Sequence, residues 1–584
     1  MFKKKSLLLL LLAALLVFFV ACGDTDEDDT ASTDDPDTEE VADDPADDED
    51  GDTEDGLPYD TEPEMHYHYF VGANGTEVSD TRDTELGQKF FEETGVSFQM
   101  EFLVGDLMER LGTMVAGGTY PDVVTPDHGI EMMLDAGAFI PLNDLLEEHG
   151  PNLLEVYGDH IDSFTMTDGN IYYLPFGIEV GEHVPDPNIN QGAFWIQRDV
   201  LIQNDFPELH GIEEYFDLIT AYADENPEID GASTIPFTGL TYDTNWFTFS
   251  NIPNHLAGYP NDGGVQVDMD THEVDVYGDS DAAYEFLKKL SELNADGYLD
   301  REMFVSNMDD FLAKVSSGRV LGFFAYGWQF GEARNALEDA GNPEREFVPL
   351  PIVLDDSVPY DQYLDPPSFV QNRGLGITVN AENPERIIQF IDNLVREENQ
   401  KLVKWGEDGR HHSTHDDGTY YRTEEQVELM KDQDEREAFG MTAFEWNWPV
   451  LSGTMSDGNS FNPSGQPEVA ALEYDEDDWE VLDAYGVETY SQLFAQPDER
   501  PWFPAWSANI PDGSEPSLYE TRAEELTQEY YPRLVMAAPG DFDALWDEFV
   551  EAYRSVDHLD VYLDFYNETI QQRLEGNWQF EYFD

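Results

Sequence analysis

Basic residues and cysteine are both scarce in this chain. Its 584 residues include 28 Lys and Arg against 126 Asp and Glu, which gives a formal net charge of −98, and only one cysteine. A surface this negative repels nucleic-acid phosphates and anionic lipid headgroups, and the sequence contains no basic patch that would offset the repulsion. The composition therefore argues against nucleic-acid binding, and a single cysteine excludes a disulfide within the chain.

Long apolar runs are also missing, apart from one near the N-terminus. Residues 7–21 form an unbroken apolar run of 15 residues after three lysines at positions 3–5. This run is shorter than the roughly 18 residues expected of a membrane span. We therefore predict that residues 1–21 are a signal peptide.

The single cysteine directly follows this run. Phe19, Val20, Ala21 and Cys22 resemble the bacterial lipobox, although Leu rather than Phe usually stands three residues before the cysteine. The resemblance implies that Cys22 is acylated, with palmitate for example, and anchors the mature chain on the extracellular face of the cytoplasmic membrane. An ordinary signal peptide with an incidental cysteine is the alternative. An acylated Cys22 leaves no thiol for catalysis or for a thiolate metal site.

Residues 22–64 are dominated by acidic side chains. Between residues 24 and 64, 22 of 41 positions are Asp or Glu and none is Lys or Arg. Such a segment cannot bury enough apolar surface to offset the entropy lost on folding. It also lacks the fixed spacing and the glycine of a calcium loop. We therefore predict an extended, disordered tether.

The body that follows the tether is itself acidic. Residues 65–584 carry 104 acidic and 25 basic residues, a net charge of −79, and only 10 of the chain's 28 basic residues are Lys. Salt screens the self-repulsion of such a surface. The composition therefore favours halophilic or alkaliphilic adaptation, that is, a protein exposed to high external salt or high pH.

From residue 66 the pattern changes to strands that alternate with helices. Residues 66–71, 96–102 and 122–124 have strand composition, and residues 84–94 and 107–116 between them are helix-like. This β-α-β-α-β order predicts an α/β sheet with helices on its faces. Further helices are predicted over residues 212–225, 282–295, 308–317, 384–398, 516–536 and 542–574.

Six sequence patterns follow one another in a fixed order. They are 117–124 (GGTYPDVV) followed by 132–142 (MMLDAGAFIPL), 168–175 (DGNIYYLP), 194–199 (FWIQRD), 318–328 (GRVLGFFAYGW), 373–380 (RGLGITVN) and 405–411 (WGEDGRH). In this order they resemble the family 1 extracellular solute-binding proteins that feed ABC sugar importers. Within that family the chain looks most similar to the large lipoproteins linked to oligosaccharide or uronide uptake.

The resemblance implies a type II periplasmic-binding-protein-like fold, in which two α/β lobes joined by a hinge hold the ligand in the cleft between them. It places residues 65–180 and about 322–380 in lobe 1, and about 190–320 and 384–584 in lobe 2. It implies a monomer that passes an oligosaccharide to the transmembrane subunits of an ABC permease, with no catalysis and no cofactor. Large members often carry a calcium loop before an Ile-Pro pair. Residues 225–234 before Ile235 lack its alternating oxygen ligands, so we expect no metal there.

Four tryptophans are candidates for stacking against a sugar ring, whose C–H face packs on a flat aromatic side chain. By the resemblance, Trp328 is a ligand-facing aromatic at the lobe boundary and Trp195 lies at the other crossover. Trp246 and Trp446 lie in turn-like stretches with polar neighbours. Packing in the core is the alternative for each of them.

Polar candidates follow predicted strands or flank the predicted hinge. Asp127 and Asn74 come after strands, at the edge where open α/β sheets bind ligands, and Glu179 lies near the hinge. Arg373 and Arg198 also flank the hinge, and a guanidinium can bind a ligand carboxylate through two hydrogen bonds. The alternative is solvated surface polarity, or a structural ion pair for the arginines.

Two other functions stay open from the sequence. A secreted polysaccharide-active enzyme, a lyase or a glycosidase, would need paired carboxylates, but 104 acids in the body make no single pair informative. The nucleophile-elbow, zinc-peptidase and Walker A sequences are absent. A metal-binding lipoprotein is suggested by His411, His412 and His415, three histidines within five residues.

The acidic body predicts that salt stabilises the protein. Raising NaCl from about 0.1 M to about 1 M shortens the Debye length from about 10 Å to about 3 Å and screens the repulsion between carboxylates. We expect the thermal unfolding midpoint, measured by circular dichroism, to rise by several degrees. Sucrose at equal osmolality serves as the control without charge, and a midpoint that stays constant or falls in NaCl would contradict the prediction.

Overall fold

Strands and helices alternate along nearly the whole described part of the chain. The computed structural model describes residues 59, 61–73, 78–242, 245–366, 368–370, 372–445, 447–511, 513–538 and 540–578, without the side chain of residue 159. The predicted signal peptide, Cys22 and most of the predicted tether lie outside the described residues.

The elements are numbered in chain order. The strands are β1 (Met65–Val71), β2 (Val96–Phe102), β3 (Val123–Thr125), β4 (Tyr173–Pro175), β5 (Ile178–Val180), β6 (Gly192–Gln197), β7 (Glu228–Ile229), β8 (Ala232–Ser233), β9 (Ile235–Gly239), β10 (Val265–Val267), β11 (Val274–Val276), β12 (Val320–Tyr326), β13 (Phe347–Leu350), β14 (Gly374–Ile377), β15 (Ser413–Thr414), β16 (Tyr420–Tyr421) and β17 (Leu451–Gly453). The helices are α1 (Glu85–Thr94), α2 (Leu107–Gly117), α3 (Ile130–Asp135), α4 (Asn143–His149), α5 (Pro151–Tyr157), α6 (Arg198–Ile202), α7 (Ile212–Glu225), α8 (Trp246–Ser250), α9 (Ile252–Leu256), α10 (Asp281–Asp296), α11 (Met308–Ser316), α12 (Gly331–Asp339), α13 (Pro384–Leu394), α14 (Glu397–Trp405), α15 (Glu424–Lys431), α16 (Gln433–Phe439), α17 (Pro467–Glu473), α18 (Glu476–Tyr485), α19 (Glu515–Val535), α20 (Phe542–Arg554) and α21 (Leu559–Leu574).

Two mixed sheets organise these elements. The first has the strand order β2-β1-β3-β14-β4, with β1 parallel to β2 and β3 and with β14 antiparallel to both of its neighbours. The second has the order β13-β6-β12-β9, in which only β12 and β9 are parallel. The predicted α/β character and the alternation at the start of the body are confirmed.

Helix α1 shows how local sequence sets an element's ends. The Thr84 side chain accepts a hydrogen bond from the N–H of Gly87 at 3.0 Å, which caps the first turn. Gly95, with a φ of 68°, ends the helix in the left-handed conformation that glycine adopts without strain. Leu86 and Phe90 face inward, so α1 covers the first sheet with an apolar face.

The buried side chains form two separate cores, one for each sheet. Residues 67–178 and 369–469 build the core of the first lobe, and residues 189–363 and 474–570 build that of the second. The chain therefore passes between the lobes three times, between residues 178 and 189, 363 and 369, and 469 and 474. Three connections restrict how the lobes can move relative to each other more than a single one would.

The division of the chain between lobes differs from the predicted one in two long segments, because residues 322–363 belong to the second core and residues 384–469 to the first. Strand β12, expected in lobe 1, pairs with β6 and β9 in the second sheet. Helix α13, expected in lobe 2, packs on the first lobe: its Asp392 accepts the N–H of Leu153 at 2.9 Å, and Arg386 donates to the carbonyl of Thr94. All seven residues of β12 are buried, so its apolar sequence fits either sheet equally well.

Helices α19, α20 and α21 complete the second lobe. Residues 542–574 were predicted as one helix, but α20 ends at Arg554 and α21 begins at Leu559. His558 between them has a φ of 71°, a left-handed conformation that a continuous helix does not allow. Among the helices of the described residues, none is both long enough and apolar enough to cross a membrane.

Arg198 is the centre of a buried ion cluster in the second lobe. Of its two predicted roles, binding a ligand carboxylate and forming a structural ion pair, the structure supports the second. Its side chain is 1% exposed, and its guanidinium pairs with Asp478 and, at 3.4 Å, with Asp475 at the start of α18. The Glu346 carboxylate lies 3.9 Å from its Nη2. Burial raises the pKa of Glu346 to about 7, although the charge of Arg198 opposes this shift. Arg198 thus ties α18 to the second sheet.

Replacing Arg198 should strongly destabilise the second lobe. Arg198→Met keeps most of the side-chain volume but leaves the carboxylates of Asp478 and Glu346 buried without a cation, at a cost of about 3–5 kcal/mol. We expect a lower urea midpoint in tryptophan fluorescence. Arg522→Met is the matched control, because Arg522 is exposed on α19 and its pair with Glu525 contributes about 0.5 kcal/mol or less. Equal midpoints for the two variants would contradict the assignment.

Candidate functional site

A pocket of about 220 Å³ opens between the two lobes. Both lobes contribute to its wall. The first lobe provides His128, Ile130, Glu131, Asn372 and Arg373, and the second provides Gly263, Gly264, Trp506, Ala508, Asn509, Ile510, Glu520 and Tyr566.

The first-lobe wall is organised by an ion pair between Asp127 and Arg373. The Arg373 Nε donates to the Asp127 Oδ1 at 2.7 Å, and its Nη1 donates to the Asn372 carbonyl at 3.1 Å. Asp127 follows β3 and has a φ of 46°, a strained conformation that is found most often at functional sites. Burial alone would raise the pKa of Asp127, but the neighbouring His128 ring and the charge of Arg373 outweigh it and lower that pKa.

The second-lobe wall presents Trp506. Its ring is partly exposed, and the Arg373 guanidinium lies 5.8 Å from the ring centre, so the two lobes meet at this contact. Asn372 donates from its side chain to the Trp506 carbonyl at 3.4 Å. Gly263, with a φ of 80°, makes this placement possible, because a Cβ at that position would lie 2.7 Å from the Cβ of Trp506.

Two buried amide groups at the pocket lack partners. Asn372 is 6% exposed, and within the described residues its Oδ1 accepts no hydrogen bond. The Nδ2 of Asn509 likewise donates to no described group. Unpaired buried amide atoms cost free energy unless a ligand or water satisfies them. One acceptor and one donor are therefore available to a ligand's hydroxyl groups.

Trp506 was not among the tryptophans chosen from the sequence. It lies in the Pro- and aromatic-rich stretch 501–506, PWFPAW, which is a signal for a shaped loop. The same stretch contains Trp502, which is 1% exposed in the core. Local sequence therefore does not distinguish the two rings.

Trp328 is the predicted aromatic that the structure leaves open. It is 60% exposed, follows β12 directly, and its ring centre lies 6.2 Å from that of Tyr326. The N–H of the preceding Gly327 donates to the Asn190 carbonyl at 3.1 Å, which places this turn beside the first crossing between the lobes. Trp328 does not line the 220 Å³ pocket.

Asp365 lies in the second crossing and has an unusual environment. Within the described residues it makes neither a hydrogen bond nor an ion pair. Burial, and next the charge of Asp262, raise the pKa of its carboxyl to about 7. Its own charge in turn raises the pKa of Tyr326, so this acid acts electrostatically on the strand that leads to Trp328.

Trp195 and Trp246 are buried in the core of the second lobe, which contradicts their predicted ligand role. They are 2% and 4% exposed, so neither indole face is open to a sugar. The Trp195 Nε1 donates to the Ala325 carbonyl at 2.9 Å, and the Trp246 Nε1 donates to the Thr527 hydroxyl at 3.0 Å. Both rings connect elements of the second lobe.

The remaining candidates are placed as follows. Glu179 in β5 is partly buried and its carboxylate lies 2.8 Å from the His183 ring nitrogen, outside the pocket wall. Asn74 and Trp446 lie outside the described residues. A ligand role for these three residues stays a prediction.

The three histidines of the metal hypothesis do not converge. His411 contacts the Glu435 carboxylate at 3.1 Å, the buried His412 contacts the Trp405 carbonyl at 3.2 Å, and His415 stacks on Tyr421 with ring centres 4.0 Å apart. Across the described residues, no group of three or more His, Cys, Asp or Glu side chains is arranged to hold a metal ion.

Comparisons with known proteins agree with this geometry. The family model described as bacterial extracellular solute-binding protein matches residues 85–407. The fructooligosaccharide ABC transporter substrate-binding protein FusA of Streptococcus pneumoniae is 23% identical over 276 residues, which is 44% of this chain and 49% of that protein. The polygalacturonan/rhamnogalacturonan-binding protein YtcQ of Bacillus subtilis is 22% identical over 332 residues, or 55% of this chain and 61% of that protein. The chain therefore spans only about half to three fifths of these relatives.

One solved structure extends the likeness over most of the chain. The S. pneumoniae FusA structure in complex with kestose superposes with a TM-score of 0.64 at 18% identity, covering 88% of this chain and 100% of that one. At this identity the superposition establishes a shared fold.

Proposed function

Because the chain belongs to the bacterial extracellular solute-binding protein family, we propose that it captures an oligosaccharide between its lobes and delivers it to the permease of an ABC importer. It has the type II periplasmic-binding-protein-like fold expected of that family. The family consists of binding proteins, and our proposal includes no catalytic step.

The observation that carries the proposal is a pocket with walls from both lobes. Arg373 and Asn372 come from the first lobe, and Trp506 and Asn509 come from the second. A ligand that contacts both walls stabilises the closed arrangement, because the open one offers only one wall at a time. Closure of this kind gives a permease a structural difference between loaded and empty receptor.

The pocket offers the two contacts that a sugar requires. Trp506 presents an aromatic ring to the C–H face of a pyranose or furanose. The Asn372 Oδ1 and the Asn509 Nδ2 are an acceptor and a donor for hydroxyls. The Arg373 Nη2, which has no partner among the described residues, supplies a further donor.

The finer features of the proposal concern attachment and medium. Acylation of Cys22 and the acidic segment 22–64 would hold a monomeric body at the extracellular face of the membrane. The net charge of the body favours a saline or alkaline medium. The residues that prompted the metal hypothesis all have protein partners, so we do not retain that hypothesis.

A thermal-shift screen against neutral and acidic oligosaccharides would identify the ligand, and aromatic variants would then locate it. Trp506→Ala should weaken binding about tenfold, because losing a stacked ring costs about 1.4 kcal/mol, and Trp328→Ala should do the same for an oligosaccharide long enough to reach beyond the pocket. Affinities are measured by isothermal titration calorimetry. Tyr421→Ala is the control, since this ring stacks on His415 outside the pocket. Unchanged affinity in both tryptophan variants would contradict the site, and a screen without any carbohydrate ligand would overturn the function.

Lipid anchoring has its own test. In a bacterial host that processes lipoproteins, the wild-type protein should fractionate with membranes and its mature N-terminal peptide should carry acyl chains on Cys22. Cys22→Ser removes the only thiol and should release the protein into the soluble fraction. Identical fractionation of the two proteins would show that Cys22 is not the anchor.

A further inference from the structure

Glu520 is a carboxylate on the pocket wall without a counter-ion. It lies on the second turn of α19, is exposed to the pocket, and forms no hydrogen bond or ion pair with any described residue. A carboxylate on the open surface faces bulk water, which screens its charge. Glu520 instead lies between two lobes, where its charge acts over a short distance on whatever fills the pocket.

The groups around Glu520 do not neutralise it. Its own helix adds the negative Glu524 one turn further on, and α21 contributes the phenols of Tyr562 and Tyr566. Across the pocket the first lobe contributes Glu131. The charged and titratable residues that face this part of the pocket are therefore mostly acids and neutral phenols.

The cations near the pocket already have partners. Arg373 donates to Asp127 at 2.7 Å, and His128 lies 3.7 Å from the same carboxylate. Arg573 on α21 donates to two backbone carbonyls, those of Trp502 and Pro504. The pair Asp127–Arg373 has no net charge, so it does not compensate Glu520.

The pocket is also built for uncharged polar groups. Asn372 is more than nine-tenths buried and lines the pocket, and its acceptor oxygen has no partner among the described residues. An acceptor oxygen binds a hydroxyl donor and repels a carboxylate. The Asn372 amide and the Glu520 carboxylate thus both favour a ligand with uncharged hydroxyl groups.

We infer that this pocket selects oligosaccharides without carboxylate groups and that Glu520 is the residue that excludes uronides. The inference rests on the proposed carbohydrate-binding function and specifies the ligand class. It revises the role suggested for Arg373, whose guanidinium charge is already balanced by Asp127. It also distinguishes this chain from its relative YtcQ, a polygalacturonan/rhamnogalacturonan-binding protein.

The exclusion of uronides is stronger at high pH than at low pH. Enclosure of the Glu520 carboxyl between the two lobes, which removes water from it, and next the charge of Glu524, raise its pKa to about 7. Above that value the carboxylate is charged and repels a uronide, and below it the group is neutral. Uronic acids titrate in the range of Asp and Glu, so they stay ionised from pH 6 to pH 8. Uronide affinity should therefore rise as the pH falls from 8 to 6, while affinity for neutral sugars should not.

The experiment compares two sets of probes on the full-length mature protein. The neutral set contains fructo-, gluco-, galacto- and manno-oligosaccharides, and the acidic set contains oligomers of galacturonate, mannuronate and guluronate. Calorimetry at constant ionic strength gives affinities at pH 8 and pH 6 for the wild type, Glu520→Gln and Glu525→Gln. The last variant removes one charge from an exposed position of the same helix, and thermal unfolding verifies that all three proteins fold.

We expect the wild type to bind a neutral probe at least about tenfold more tightly than any uronide at pH 8. Glu520→Gln should strengthen uronide binding about tenfold at pH 8 and abolish its pH dependence, and Glu525→Gln should do neither. A uronide as the best ligand at pH 8, or uronide affinity that Glu520→Gln leaves unchanged, overturns the inference but not the function. Failure of every probe to bind overturns both.

Discussion

The scarcity of cations is the constraint on which the arrangement of this molecule depends. Of 28 basic residues, several arginines are buried where segments distant in sequence meet. Arg198 connects α18 to the second sheet, and Arg386 connects α13 to the turn before β2. Arg573 connects α21 to the loop that carries Trp506. A guanidinium suits this task because it donates several hydrogen bonds in fixed directions.

Because several of the few arginines are buried, acidic side chains dominate the surface. A buried cation stabilises the contacts around it with little screening, whereas exposed carboxylates repel each other through water and ions. The body is therefore held together by internal charge pairs and weakened by external repulsion. The same imbalance extends into the pocket, where the guanidinium of Arg373 on the described part of the wall is already paired with Asp127.

The sequence predicted the class of fold well because that prediction rests on local patterns. Helix α1 carries its own cap and stop signal in Thr84 and Gly95, and the alternation of the first five elements is visible without tertiary information. The division into lobes was predicted less well. Strand β12 is apolar at almost every position, so nothing in it specifies one sheet over the other, and only its pairing with β6 does.

The candidate site was predictable only on the first-lobe side. Asp127 and Arg373 follow from the rule that ligands bind at the ends of strands, and the structure brings them together. The sequence pointed to Trp195 and Trp246 and not to Trp506. Burial is a property of the whole fold, and a tryptophan has the same local pattern in the core and at a pocket, so local sequence could not correct that choice. Glu520 could not be singled out among 126 acids, since its distinction is that no described residue pairs with it as a counter-ion.

The pocket walls are built from segments that lie far apart in the sequence. His128 and Arg373 belong to the first lobe, whereas Gly263, Trp506 and Glu520 belong to the second. The sheet of the first lobe is incomplete without β14, and the pocket wall is incomplete without α19. Ligand binding at this pocket thus requires segments of both lobes to be in place, so bound ligand reports that both lobes have folded.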